Sequence, residues 1–253
     1  MIKYQAKRII GNATNTVTAD FPTLSTMQRV VGIFCSNENT QDCGEVQLGL
    51  DIGGVEIFPE DFPLRLLTDK GKRTPSYRHV EKRLKRFFDL TPFAIRAGGE
   101  TVEIALTGNR NHAVDVVLVL DQTPVTHEQI RKYQIVRVEH QANGTAKKSF
   151  ATFSDYSKVT GISLISDQLV NGFCYNSFSR FGLKIGGAEI FPIDYPANHL
   201  LVNPQCVQMD ENFYDLKPFD VQAGGTTAEV TYLHDVSGVC QTPELICVFE
   251  LTK

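Results

Sequence analysis

The chain of 253 residues has no tryptophan and no apolar run approaching the roughly 18 residues that a membrane-crossing helix needs. Its first residues, MIKYQAKRIIGNATN, lack the apolar core of a secretory leader, so none is expected. Cysteine is sparse and unpatterned. None of Cys35, Cys43, Cys174, Cys206, Cys240 and Cys247 falls at C-x-x-C spacing, which argues against a zinc site. They are expected to be free thiols in a chain that folds in a reducing compartment. The histidines are His79, His112, His127, His140, His199 and His234, and they form neither H-x-H nor H-E-x-x-H. No P-loop, no strand–G-x-G-x-x-G–helix and no G-x-S-x-G elbow occurs. The chain is therefore expected to be neither an enzyme nor a holder of a metal or cofactor. A net charge of −4 argues against a dedicated nucleic-acid binder, whose domain is normally basic.

What the chain does contain is a repeat. LDIGGVEIFPEDFP at Leu50–Pro63 returns as LKIGGAEIFPIDYP at Leu183–Pro196, with ten of fourteen positions identical. DLTPFAIRAGGETVEI from Asp89 returns as DLKPFDVQAGGTTAEV from Asp215, with nine of sixteen identical. Tyr4 of YQAKRI corresponds to Tyr133 of YQIVRV, and VVGI at Val30 to VTGI at Val159. The order of blocks is the same in both copies, and the offset drifts between 126 and 133. Solenoid and propeller repeats have periods of about 20–50 residues, so this is a duplicated domain. The copies are placed at 1–122 and 132–253, with 123–131 between them. Cysteines at non-equivalent positions are not an inherited disulfide framework. None of the six matches its counterpart, which supports free thiols.

Val, Ile, Thr and Phe fill short segments punctuated by Gly, Pro, Asn and Asp, the rhythm of an all-β sandwich. Strands are predicted at 4–10, 14–21, 29–36, 45–52, 55–58, 93–97, 101–107 and 113–120, and on the same plan in the second copy. Val46, Leu48, Leu50 and Ile52 alternate with polar or small residues, so one face is buried. The Gly53-Gly54 pair supplies the positive φ of a tight hairpin. Gly98-Gly99, Gly186-Gly187 and Gly224-Gly225 are read as the same strand–turn–strand device. Asn143-Gly144 is a further hairpin signal. After Pro59 a turn or short helix is expected, with Leu64, Leu66 and Leu67 closing the sandwich. Between the copies, Pro124 ends the first domain, and Thr126 with Gln129 fits a capping box.

The copies differ most between these blocks, where the first has seven extra residues. The segment 69–86 holds Lys70, Lys72, Arg73, Arg78, Lys82, Arg83, Lys85 and Arg86 against Asp69 and Glu81, a local balance of +6. Residues 76–88 have the apolar spacing of a short helix, through Val80, Leu84, Phe87 and Phe88. The basic stretch has three readings: a solvated helix face, a dock for an acidic surface of a neighbouring subunit, or a contact with anionic lipid or nucleic acid. Glu56/Glu189 and Asp61/Asp194 are duplicated carboxylates. Two carboxylates across a cleft would suit a glycosidase, but residues duplicated with a fold more often serve turns and caps.

The strand–turn–strand GEVQLGLDIGGVEIF with FPLRLL, and its copy SRFGLKIGGAEIF with YPANHLL, resemble the double jelly-roll major capsid proteins of the adenovirus–tectivirus–corticovirus lineage, in their small, membrane-containing-phage form. The resemblance covers the whole chain as architecture. It implies two tandem eight-stranded antiparallel jelly-roll sandwiches with short helices in loops. It also implies homotrimers whose six barrels form a pseudo-hexagonal capsomer of an icosahedral shell. Neighbouring capsomers, penton or minor capsid proteins and internal membrane lipid would be the partners, without specific nucleic acid. The chain would be made in the host cytoplasm and reside in the virion. The rival reading is a tandem carbohydrate-binding or adhesion protein, which would expose aromatics at loop ends. Phe58, Phe62, Phe191 and Tyr195 are the candidates.

Overall fold

A computed structural model describes residues 1–12, 15–37, 46–67, 87–108, 112–139, 144–166, 179–197, 200, 213–234 and 244–253. Among these the regular structure is antiparallel strand and short 3-10 turns, with no α-helix. The first repeat contains β1 (Ile2–Gly11), β2 (Val17–Pro22), β3 (Arg29–Asn37), β4 (Gln47–Ile52), β5 (Val55–Phe58), β6 (Phe88–Asp89), β7 (Thr101–Thr107) and β8 (His112–Asp121). They form two four-stranded sheets, ordered β1-β8-β3-β6 and β2-β7-β4-β5. The second repeat has β9 (Arg131–Glu139), β10 (Gly144–Ala151), β11 (Lys158–Ser166), β12 (Arg180–Ile185), β13 (Ala188–Pro196), β14 (Tyr214–Asp215), β15 (Thr227–His234) and β16 (Glu244–Thr252). Its sheets run β9-β16-β11-β14 and β10-β15-β12-β13, the same plan strand for strand.

The duplication holds to the register. Gly32 pairs with Asp89 and Gly161 with Asp215. Leu50 pairs with Ile104 and Leu183 with Val230. Tyr4 faces Val119, and Tyr133 faces Glu250. A β-bulge interrupts β3 between Val30 and Gly32, and β11 between Val159 and Gly161. A one-residue slip would turn every buried side chain outward, so the two hydrophobic patterns fix one register twice.

Each sandwich buries the inner faces of its own two sheets. In the first, Val102, Ile104 and Leu106 of β7 alternate with outward Thr101 and Glu103. They pack in a core with Leu48, Leu50, Ile33, Val116 and Leu118, all fully or almost fully buried. In the second, Val230, Leu183, Ile162, Leu164, Leu245 and Cys247 belong to one cluster. Each Val- or Leu-sized side chain so buried contributes about 1.5–3 kcal/mol. Met1–Ile130 belong to one compact unit, and a second begins at Arg131.

Several expectations are corrected. Residues 93–97 are not a strand. Thr91–Phe93 is a 3-10 turn closed by left-handed Ala94, followed by a single bridge from Arg96 to Arg29. The ladder beside β3 comes instead from β6, so Phe88 is extended and does not end a helix; the rest of that predicted helix, 76–86, lies outside the described residues. The Asn143-Gly144 signal does not join a hairpin, because β9 pairs with β16 and β10 with β15; Asn143 itself is outside the described residues. Gly98-Gly99 and Gly224-Gly225 have positive φ but lead between sheets and do not join paired strands. No helix starts at Thr126. The linker is irregular and tied to the 3-10 turn: His127 Nε2 lies 2.8 Å from the Thr91 carbonyl, and the Ile130 N–H donates to the Pro92 carbonyl at 3.0 Å.

Candidate functional site

The hairpin at the heart of the repeat is built from its glycines. Gly53 and Gly54 have φ of 63° and 77°, and Gly186 and Gly187 59° and 83°. Both central residues of a type I′ turn need such values. Ile52 pairs with Val55 across the turn, and Ile185 with Ala188. Asp51 Oδ1 accepts the Gly54 N–H at 2.8 Å. Beyond β5, Leu64–Leu67 form a 3-10 turn that drives Leu64, Leu66 and Leu67 into the core.

The aromatics of the rival reading are not a ligand platform. Phe58 and Phe62 stack with centroids 4.3 Å apart, and both are buried. Phe88 and Phe93 meet Phe58 edge-on at 5.5 and 6.3 Å. The second repeat keeps this cluster residue for residue: Phe191 lies 4.7 Å from Tyr195, 5.6 Å from Tyr214 and 6.2 Å from Phe219. The two differ in closure. Phe93 is 1% exposed and its counterpart Phe219 is 48% exposed. Burial, and then a bond to Tyr214, push the Tyr195 phenol upward.

The duplicated carboxylates serve turns or face solvent. Asp89 Oδ1 accepts the Thr91 N–H at 3.0 Å, and Asp215 Oδ1 the Lys217 N–H at 3.0 Å, so each holds the bend that leads into its 3-10 turn. Glu56, Glu189 and Asp194 are exposed. Among the described residues no group of three or more His, Cys, Asp or Glu is arranged to hold a metal ion. Burial pushes the Cys35 and Cys247 thiols far up, away from the reactive thiolate. The basic residues Lys70, Lys72, Arg73, Arg78, Lys82, Arg83, Lys85 and Arg86 lie outside the described residues.

Two surfaces of the first unit were not foreseen. On the outer face of β2-β7-β4-β5, Asp20 faces Glu103, Glu103 faces Asp51, and Asp51 faces Glu56. This row of four carboxylates has become Ser149, Glu229, Lys184 and Glu189 in the second unit. The signal was present as one acidic residue in each of the four strands, but the row emerges only once the register is known. The other is the outer side of β1, an edge strand, where Ile2, Tyr4 and Ile10 are 50%, 64% and 71% exposed. Tyr133, the counterpart of Tyr4, is buried and stacks on Phe213 at 5.5 Å.

No family model and no curated relative matches the chain. Solved structures do. The major capsid protein P2 of bacteriophage PM2 matches at 9% identity over 100% of this chain and 97% of its own, with a TM-score of 0.53. A chain of the Sulfolobus Turreted Icosahedral Virus structure matches at 11% identity over 99% of this chain and 90% of its own, with a TM-score of 0.50. A glycosylasparaginase of Flavobacterium meningosepticum aligns at 15% identity over 98% and 96%, but its TM-score of 0.39 is too low to make the folds the same. The chain has the double jelly-roll fold, two eight-stranded sandwiches in tandem.

Proposed function

We propose that this chain is a viral major capsid protein that assembles as pseudo-hexameric homotrimers into an icosahedral shell. The observation that carries it is the strand-for-strand, register-for-register duplication of one jelly roll within a single chain. Three such chains offer six nearly equivalent barrels, and heterologous contacts between them close a ring. The fold shared with PM2 P2, a major capsid protein, supports the same reading. The role is structural and not catalytic. The two barrels are residues 1–122 and 132–253, with 123–131 as the link.

The faces that distinguish the repeats, the carboxylate row and the apolar outer side of β1, reduce the six-fold pattern to three-fold and key neighbouring capsomers. The +6 stretch 69–86 would meet an acidic neighbour or the lipid of an internal membrane. Penton or minor capsid proteins are further partners, the virion is the place of action, and synthesis is in the host cytoplasm. Buried Phe58, Phe62 and Phe191 weigh against the carbohydrate-binding alternative.

Native mass spectrometry with electron microscopy of the purified protein tests this. Trimers with a six-lobed outline are expected. A monomer at all concentrations, with no ordered particles, overturns the proposal.

A further inference from the structure

The two repeats carry the same 3-10 turn, Thr91–Phe93 and Lys217–Phe219, each ending in a left-handed residue, Ala94 or Asp220. They also make the same ring contact, Phe93 to Phe58 at 6.3 Å and Phe219 to Phe191 at 6.2 Å. In the first repeat the turn holds the segment that leads into β9. The Thr91 carbonyl meets His127, and the Pro92 carbonyl accepts the Ile130 N–H, the residue before β9 begins. In the second repeat no backbone N–H among the described residues reaches the Pro218 carbonyl, and Phe219 stands 48% exposed beside it.

The duplication says what fits this seat, which no described residue fills. Ile130 precedes β9 as Met1 precedes β1, at the same offset of 129 that relates Tyr133 to Tyr4. Of the four residues that open β1, three present large apolar side chains to solvent on its free side or end: Met1 is 73%, Ile2 50% and Tyr4 64% exposed. Met1–Gly11 carries Lys3, Lys7 and Arg8 and no acidic residue; at the turn, exposed Lys217 is flanked by exposed Asp215 and Asp220, the latter paired with Lys158.

We propose that the Lys217–Phe219 turn of one chain seats the residues opening β1, Met1–Tyr4, of a second copy, repeating between chains the contact that Ile130 makes within one. The backbone nitrogen of Met1, an ammonium that lies 3.6 Å from Asp121 Oδ1 of its own chain, keeps that pair and directs a second donor to the Pro218 carbonyl, and the side chains of Ile2 and Tyr4 cover Phe219. This rests on the self-assembly reading and names its contact. An extended segment adding backbone bonds and apolar anchors is an established mode of recognition.

The test places p-benzoylphenylalanine at position 219 in an equal mixture of nitrogen-15-labelled and unlabelled full-length chains. After irradiation, the cross-linked peptides are sequenced by mass spectrometry, and native mass is read on the same samples. Heavy–light cross-links to residues 1–4 are expected. Phe219→Ser and Ile2→Asp should each weaken association by about tenfold or more, as expected for loss of a buried anchor, with unchanged circular dichroism. Oligomers with cross-links elsewhere, or only within one chain, overturn the seat and leave self-assembly standing. A monomer at all concentrations overturns both.

Discussion

Arg29 donates twice to Asp121 Oδ2, from Nε at 3.2 Å and from Nη2 at 2.8 Å, across the β3–β8 pair. The second repeat does not inherit this bond. There Lys158 faces Thr252 in the ladder and sends its ammonium to Asp220 Oδ1 at 2.6 Å. The Arg29 hydrogen bond, helped by Thr123 and opposed by burial, lowers Asp121 from 3.8 to about 2. A carboxyl depressed in the folded state stabilises above its unfolded value, and that contribution disappears as pH falls through the folded value. The loss should fall between about pH 4 and pH 2. Asp121→Asn should lower the melting temperature at neutral pH and flatten its decline across that window. Calorimetry at several pH values checks this, and parallel declines in the two proteins would refute it.

At Gly54 and Gly187 the geometry isolates one cause. A Cβ on either would meet nothing within 4 Å, yet φ is +77° and +83°. Substitution therefore acts through backbone strain alone, about 1–2 kcal/mol per residue for a left-handed L-residue. Gly54→Val and Gly187→Val should lose about that much in urea denaturation, and Gly54→Asn clearly less, because Asn tolerates the conformation. Equal losses for Val and Asn would mean that strain is not the cause.

Gly49 and Gly182 have a different reason to be glycine. A Cβ on Gly49 would lie 2.9 Å from Glu60 Cα, and one on Gly182 3.0 Å from Ile193 Cα. The obstacle is backbone, which cannot rotate away. Gly49→Ala and Gly182→Ala should each destabilise by about 1–3 kcal/mol, as overpacking does. Gly161→Ala, whose Cβ would meet Glu250 Cβ at 3.4 Å, should be much milder. A melting series of the three variants decides; a Gly161→Ala loss as large as the others would contradict it.

The double jelly roll was legible where the information is local or repeated. Gly53-Gly54 joins β4 and β5, the one sequence-adjacent strand pair in the first repeat that also shares a ladder. Gly186-Gly187 does the same for β12 and β13, and between the other consecutive strands the chain switches sheets, so Gly98-Gly99 signalled a real bend but the wrong partner, and Asn143-Gly144 a pairing that β9 and β10 do not make. Residues 93–97 look like a strand because Phe93, Ile95 and Ala97 alternate; they are all buried, but through a turn and a single bridge. Exposure was the least legible. Phe93 and Phe219 occupy the same place in the repeat and differ only in what lies over them, which no local pattern records.

Cys35 and Cys247 are buried at directly related places. Cys35 faces Val116 across the β3–β8 ladder, and Cys247 faces Leu164 across β11–β16, so the thiol has changed strand between repeats. Both are fully buried, and burial holds both protonated. Iodoacetamide should leave these two unmodified in the native protein and modify both in denaturant, read by peptide mass spectrometry. Native labelling of either at the rate of a free thiol would show that its barrel opens.

The carboxylate row on the first unit places Glu103 between Asp20 and Asp51 on adjacent strands. Directly opposed like charges destabilise a sheet, and opposite charges contribute roughly 0.2–1 kcal/mol relative to Ala–Ala pairs. The second unit has already placed a cation in this row, Lys184 opposite Glu229. Glu103→Lys should therefore raise the melting temperature of the first unit, most at low salt, because exposed charges are screened over about 10 Å at 0.1 M. If the row is a keyed contact between capsomers, the same variant should slow or block particle formation while folding more stably. Melting curves at two salt concentrations, with light scattering during assembly, read both. A lower melting temperature would remove the repulsion; unchanged assembly would remove the keying role.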